Sequence, residues 1–417
     1  MTDMVYWLWL SLRCTPDTET YMKLRERFSS VREIYNADED ALRRAIGSKS
    51  RDFKALLDKS LDRASEILHF CEKYGVGILT YDDERFPQKL RDIPTPPVLL
   101  YYRGVLPDFN SGFYSAVVGT RRLSDYGRRM AYSVSADLAV AGAIIVSGMA
   151  IGIDGVALAG ALANDKTTVA VIGSGIDVCY PSQHRRLAQE IVKRGCVLTE
   201  YAPGTKPEKN NFPRRNRIIS GISDITVVIE GRENSGAILT ARHAKRQGRP
   251  LYALPGNVDN AVSQVSNLLI KNGAKLFVSA DDIIRDYENA CPAYLNPFLL
   301  TNHKNPRMEA ALLEFKVAAV APGDDIFNAP KRKKEKQEIR AREDGGEKPT
   351  LDLDELERKF DKVAVLVYKR IPADRETEIE SLADSEIGLR EVMKALLKLE
   401  MGRFIKILPG ERVKRNL

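Results

Sequence analysis

The chain has little of the chemistry that metal and redox proteins need. Its 417 residues hold five cysteines (Cys14, Cys71, Cys179, Cys196 and Cys291), far apart and without a C-x-x-C pair, and four scattered histidines. That spacing argues against a structural zinc site and a disulfide framework. No metal and no cofactor are expected, and the cysteine usage fits a reduced, cytoplasmic protein. No apolar run is long enough to span a bilayer, so no membrane partner is expected. The stretch MTDMVYWLWLSLRC is apolar from Val5 to Leu10 but lacks a basic start and a small-residue cleavage site. It reads as a first core helix rather than a signal peptide. A Walker motif is missing too, and the run from Gly173 fails G-x-G-x-x-G because Val178 stands at the third position. A nucleoside triphosphatase and an ordinary dinucleotide enzyme are therefore disfavoured.

What is present supports two to four domains. A hydrophobic content of 44% allows full-sized cores, and a net charge of +7 suits a polyanionic partner without demanding one. Residues 1–78 carry apolar side chains at helical spacing between charges, which predicts an N-terminal helical domain. Residues 79–114 hold prolines that argue against long helices and read as a connecting segment. From 115 to 290, short β-branched runs (SAVVG, AIIVSG, TTVAVIG, DITVVIE, PLYALPG) alternate with helical stretches; in one of these Met130, Val134 and Leu138 share a face. Such alternation predicts an α/β fold: a mostly parallel, extended Rossmann-like sheet with helices on both faces.

Residues 291–350 read as a charged linker. In its part from 331 to 348, thirteen of eighteen side chains are charged and Ile339 is the one large apolar residue. From 351 to 417 an apolar helix stripe (Leu389, Val392, Met393, Leu396, Leu397) precedes a ribbon turning at Pro409-Gly410. A winged-helix-like domain is the expectation there.

Ligands of an open parallel sheet sit at the carboxyl ends of its strands. Here those ends are rich in glycine and small hydroxyls: GTRRLSDYG from Gly119, SGMAIGIDG from Ser147, GSGIDVCYP from Gly173, EGRENSGAILT from Glu230 and PGNVDN from Pro255. Glycine lets a backbone approach an anion closely. The stretch NNFPRRNRIISG from Asn210 adds three arginines, two amides and an aromatic between Asn211 and Arg217. Arg121 and Arg122 can hold phosphate beside the first loop. Phe212, beside Lys209 and the arginines, offers a stacking plane for a base, which is how single strands are gripped without sequence readout. One or two of these arginines can instead pair inside the fold with Glu200 or Glu230. Asp154, Asp177 and Glu200 read as caps or arginine partners, and His184 and His243 as surface or capping residues.

These residues carry a resemblance. Gly119-Thr120-Arg121, Ser124, Tyr126-Gly127, Ser147-Gly148, Gly152-Ile153-Asp154, Tyr180-Pro181, Phe212-Pro213, Arg215-Asn216-Arg217, Ser235-Gly236, Thr240-Ala241, Pro255-Gly256, Asn267, Leu269-Ile270 and Gly273-Ala274 stand in one family's order. The chain resembles the DNA-processing protein A (DprA, or Smf) family over nearly its whole length. The resemblance implies a bacterial cytoplasmic homodimer that binds single-stranded DNA during natural transformation, protects the incoming strand and helps load RecA recombinase, with single-strand-binding protein as competitor or partner. The DNA-binding candidates are Gly119, Thr120, Arg121, Arg122, Gly148, Gly173, Ser174, Gly175, Lys209, Phe212, Arg214, Arg215, Asn216, Arg217, Ser235 and Gly236, with no catalytic residue. Leu158 and Val265 depart from the family's usual histidine and glycine, and the amino-terminal region lacks its Gly-x-Gly hairpin. The segment 266–284 is the candidate dimer interface.

The alternative is an enzyme of the nucleotide phosphoribohydrolase type, from the same superfamily. Such enzymes need P-G-G-x-G-T-x-x-E with a catalytic glutamate. Here Arg242, His243 and Ala244 follow Thr240-Ala241, and no carboxylate stands there.

Overall fold

In the computed structural model, the regular elements of the described residues before Gly77 are helices: α1 (Met4–Arg13), α2 (Thr20–Arg25), α3 (Val31–Asn36), α4 (Glu39–Ile46), α5 (Phe53–Leu57) and α6 (Asp62–Tyr74). The structure describes residues 3–232, 235–301, 303–314, 361–372, 377–384, 387–401, 404–408 and 412–415. The side chains of Ser30 and Asp38 accept backbone N–H bonds and start α3 and α4. Gly75 ends α6 at φ 62°, a left-handed turn that a β-carbon would strain. Trp9 of α1 is fully buried, and its indole N–H donates to the Asp58 carbonyl at 2.8 Å.

Nine strands build one sheet: β1 (Gly77–Thr80), β2 (Leu99–Gly104), β3 (Tyr114–Val118), β4 (Ile144–Ser147), β5 (Thr168–Val171), β6 (Cys196–Thr199), β7 (Ile225–Val228), β8 (Leu251–Ala253) and β9 (Lys275–Leu276). Their order is β1-β2-β6-β5-β4-β3-β7-β8-β9. The pairings among β3 to β9 are parallel, and β2 joins β1 and β6 antiparallel. Strands β3, β5, β6 and β7 are buried at every residue, as Val- and Ala-rich runs covered on both faces must be. The covering helices are α7 (Gln88–Arg91), α8 (Asp125–Val140), α9 (Ile153–Leu162), α10 (Arg185–Arg194), α11 (Asn211–Ile222), α12 (Gly236–Arg246), α13 (Gln264–Lys271), α14 (Ala280–Tyr287) and α15 (Met308–Glu314). Val134 and Leu138 of α8 are buried, with Met130 packed beside them. The expected α/β class, with a helical amino-terminal part, is what the chain adopts. No helix of the described residues is long and apolar enough to cross a membrane.

Two stretches differ from their sequence reading. The segment 79–114 is more than a connector: it supplies β2, the second half of β1 and the first residue of β3. Leu99, Leu100 and Tyr101 are apolar enough to be buried within the sheet. Residues 291–314, grouped with the charged linker, pack on α8 and α9. Leu295 and Ala311 join the main core, and the Tyr132 hydroxyl donates to the Pro306 carbonyl at 3.0 Å. The charged run 331–348 and the turn at Pro409-Gly410 lie outside the described residues.

One compact unit lies within residues 1–332 and a second within 333–417. The second holds helices Lys362–Arg370 and Leu389–Met401, with β10 (Thr377–Glu378), β11 (Ile405–Leu408) and β12 (Arg412–Arg415) in the order β10-β12-β11. Val392 and Leu396 of the expected stripe are buried, while Leu389 and Met393 are exposed.

The chain lays β3, β4, β5 and β6 outward in turn, then returns to place β7 on the other side of β3. That reversal opens a crevice at the carboxyl ends of the strands, beside β3.

Candidate functional site

The loops leaving β3, β4, β5 and β7 meet at this crevice and are braced by buried carboxylates. Glu230, after β7, is buried; its carbonyl accepts the Thr120 N–H at 2.8 Å and its carboxylate accepts the N–H and the hydroxyl of Ser124. The Ser124 hydroxyl in turn accepts the Gly127 N–H and caps α8. Asp154, the second residue of α9, accepts backbone N–H bonds from Gly119 and Ala150 and so ties the loops after β3 and β4 together. Burial raises its pKa against the opposing pull of Arg215.

The first turn of α11 lies across the ends of β4 and β5. Arg215 is buried; its Nη1 donates to the Gly148 carbonyl at 2.8 Å and to the Val171 carbonyl. Burial pulls its pKa down to about 10, with Asp154 opposing, so it stays cationic at neutral pH. The contact needs glycine: a β-carbon on Gly148 would come within 2.6 Å of Arg215 Nη2, and one on Gly173 within 3.0 Å of Phe212.

Above Arg215 lies the exposed part of the site. The Phe212 ring is half-buried, with the guanidinium carbon of Arg121 5.3 Å and that of Arg215 6.0 Å from its centroid. Tyr180 stands beside it, ring centroids 5.4 Å apart and planes tilted 40°. Arg121, Gly148, Ala150, Ile151, Gly173, Tyr180, Pro181 and Phe212 line a shallow hollow. Tyr180 and Ile151 are among the exposed large apolar side chains.

The structure thus brings Arg121, Gly148, Gly173 and Phe212 together, with Gly119 and Arg215 just beneath. Arg122 and Lys209 are exposed. The others hold the loops. The Thr120 hydroxyl accepts the Arg122 N–H at 3.2 Å, and the Ser174 hydroxyl donates to the Val178 carbonyl at 2.9 Å. Gly175 N–H donates to the Thr205 carbonyl at 2.9 Å, fastening the loop after β5 to the one after β6. Asn216 is buried, accepting from Arg215 and donating to the Gly236 carbonyl at 3.3 Å, which joins Ser235-Gly236 to α11 rather than to the hollow.

Arg217 faces away from the hollow. Five residues on from Phe212, it lies on the far side of α11, buried, with Nη2 2.6 Å from Glu200. Arg214 lies one turn before it on the same face and also acts on Glu200. Pairing inside the fold was open for one or two of these arginines, and Arg217 takes it.

Sequence reasoning gave Tyr180 no role, although the Tyr180-Pro181 pair was visible; that peptide bond is cis. His184, expected at the surface or in a cap, is half-buried and stands immediately before α10. Its Nδ1–H donates to the Met149 carbonyl at 2.9 Å, and burial lowers its pKa, so it props the loop after β4 as neutral imidazole.

The sequence model described as DNA recombination-mediator protein A matches residues 77–288. The chain belongs to this family. The DNA processing protein DprA of Bacillus subtilis is 32% identical over 250 residues, 60% of this chain and 84% of that protein. The DprA of Streptococcus pneumoniae is 40% identical over 206 residues, 49% of this chain and 72% of that protein. The X-ray structure of the pneumococcal protein superposes with a TM-score of 0.59 and 32% identity, covering 69% of this chain and 99% of that one. The family match spans β1 to α14 and so includes every residue of the hollow.

Proposed function

We propose that the hollow at the crevice is the grip for single-stranded DNA in a protein of DNA processing and recombination. The observation that carries this is the stack of Tyr180, Phe212 and the Arg121 guanidinium over glycine loops. Two aromatic planes beside a cation offer a base its π-face and a phosphate its counter-charge, the two terms that hold single strands without sequence preference. Phosphate contacts come from Arg121, Arg122 and Lys209, and Arg215 adds fixed positive charge from below. The neighbouring carboxylates are occupied, Asp154 by backbone N–H groups and Glu230 by Ser124, which supports a binding protein over a hydrolase.

On this reading the protein works in the cytoplasm as a homodimer, coats an incoming strand, competes with single-strand-binding protein and gives RecA a nucleation site. The test is filament growth by RecA and ATP on DNA coated with single-strand-binding protein, with and without this chain. Acceleration that disappears with Arg121→Glu supports the proposal. Tight DNA binding without acceleration reduces the function to strand protection. Release of free base from a nucleoside monophosphate would favour the phosphoribohydrolase alternative.

A further inference from the structure

Arg217, which the hollow does not use, borders a second and roomier cavity. About 550 Å³ in volume, it opens between the segment entering α2 and the far faces of α11 and α12. The guanidinium is only partly satisfied: Nη2 is held by Glu200, Nη1 has no hydrogen-bond partner, and Nε is 3.5 Å from Asp17, too long for a good bond. Gln247 also lines this space; its side chain donates from Nε2 to the Arg217 carbonyl, while its buried Oε1 accepts nothing. In the adjoining hollow, Glu200 Oε1 and the Tyr21 hydroxyl are also buried without partners. Buried polar groups are nearly always paired, so unpartnered donors and acceptors gathered around one space point to a ligand that completes them. Asp17 adds strain at the same place, held at φ 61° with its carboxylate accepting from Thr95 at 2.9 Å.

We propose that this cavity binds a sugar phosphate. Arg217, Arg246 and Lys23 bring three cations to one space, and the free Nη1 suits an oxyanion with several lone pairs. Asp17 and Glu19 also border it. These carboxylates would oppose a bare phosphate but accept bonds from sugar hydroxyls, as Gln247 Oε1 can. The one aromatic ring in the described lining is the His243 imidazole, a smaller stacking plane than the Tyr180 and Phe212 pair, so a sugar phosphate suits this space better than a base. The volume suits a ligand larger than phosphate alone. The same chemistry comes from a free metabolite or from the terminal deoxyribose phosphate of a DNA strand. The site is independent of the groove at Phe212.

The test is calorimetric titration of the full chain with ribose 5-phosphate. Saturable binding at a single site is expected, weakened at least tenfold by Arg246→Ala or Lys23→Ala, both exposed positions, and unchanged by Arg121→Glu. No saturable binding at millimolar ligand would overturn the proposal. Inorganic phosphate bound as tightly as ribose 5-phosphate would overturn the sugar component. If a 5′-phosphorylated oligonucleotide binds more tightly than its hydroxyl-ended form, and Arg246→Ala abolishes the difference, the DNA end is the natural source. If ribose 5-phosphate binds but the end phosphate changes nothing, the site takes a free metabolite.

Discussion

Replacing Phe212 by alanine removes the ring against which Tyr180 and Arg121 are arranged, at 5.4 and 5.3 Å. Stacking of a base on an aromatic side chain contributes about 1–3 kcal/mol, so the affinity for a single strand should fall. At 1.4 kcal/mol per factor of ten, that is roughly 5- to 150-fold in Kd. A stability cost accompanies it. Complete burial would set the cost near 3–5 kcal/mol, and a half-buried ring should cost about half as much. Phe212→Leu separates the two effects: it refills much of the space against Gly173 but has no π-face. The assay is fluorescence anisotropy of a labelled thymidine oligonucleotide at constant salt, with thermal denaturation in parallel. Leucine should restore most of the stability and little of the affinity. Affinity within twofold of wild type in a folded Phe212→Ala protein would refute the stack as a binding element and leave the ring as packing.

Arg121→Glu should weaken binding similarly for every sequence and lower the slope of log K against log salt by at least ~0.7, one phosphate contact's share on single strands; an unchanged slope would remove Arg121 from the phosphate path. Arg217→Ala should cost about 3–5 kcal/mol because it strands Glu200, whereas Arg217→Met combined with Glu200→Leu should cost far less; chemical denaturation decides, and equal losses would contradict a buried pair. His184 has a folded-state pKa below its ordinary value, so its contribution is complete above about pH 6.5 and is lost as pH falls through the folded value. The stability advantage of wild type over His184→Asn should therefore shrink as pH falls below about 6.5, and a constant difference in thermal midpoint down to the acid limit of folding would show that the imidazole does not titrate in the folded protein. In the proposed dimer segment, Leu268, Leu276 and Val278 are exposed, while Phe277, Ile283 and Ile284 fill the core. Leu276→Glu should give a monomer in sedimentation, and a persisting dimer would move the interface elsewhere.

The sheet could be read early because its strands are β-branched runs buried on both faces, a pattern with few other uses. The segment at 79–114 hid β2 and the end of β1 because the prolines between these two short antiparallel strands dominate its pattern. Within the site, Phe212 and Arg121 were legible as chemistry, and the glycines as places of close approach. Tyr180 was not, since a tyrosine before proline announces no ring partner thirty-two residues later.

Local sequence determined which segments become helices and strands, where Ser30, Asp38 and Ser124 start helices, and that cation, aromatic and glycine would gather at strand ends. Arg214, Arg215 and Arg217 look equivalent in sequence, and only the tertiary structure told them apart. Successive residues of a helix point about 100° apart, so α11 turns Arg215 under the groove and Arg217 toward Glu200 and the second cavity. Burial then decides the work of each charge. Arg215 is fixed by two carbonyls at the strand ends, Arg217 by a carboxylate, and Arg121 is left at the surface.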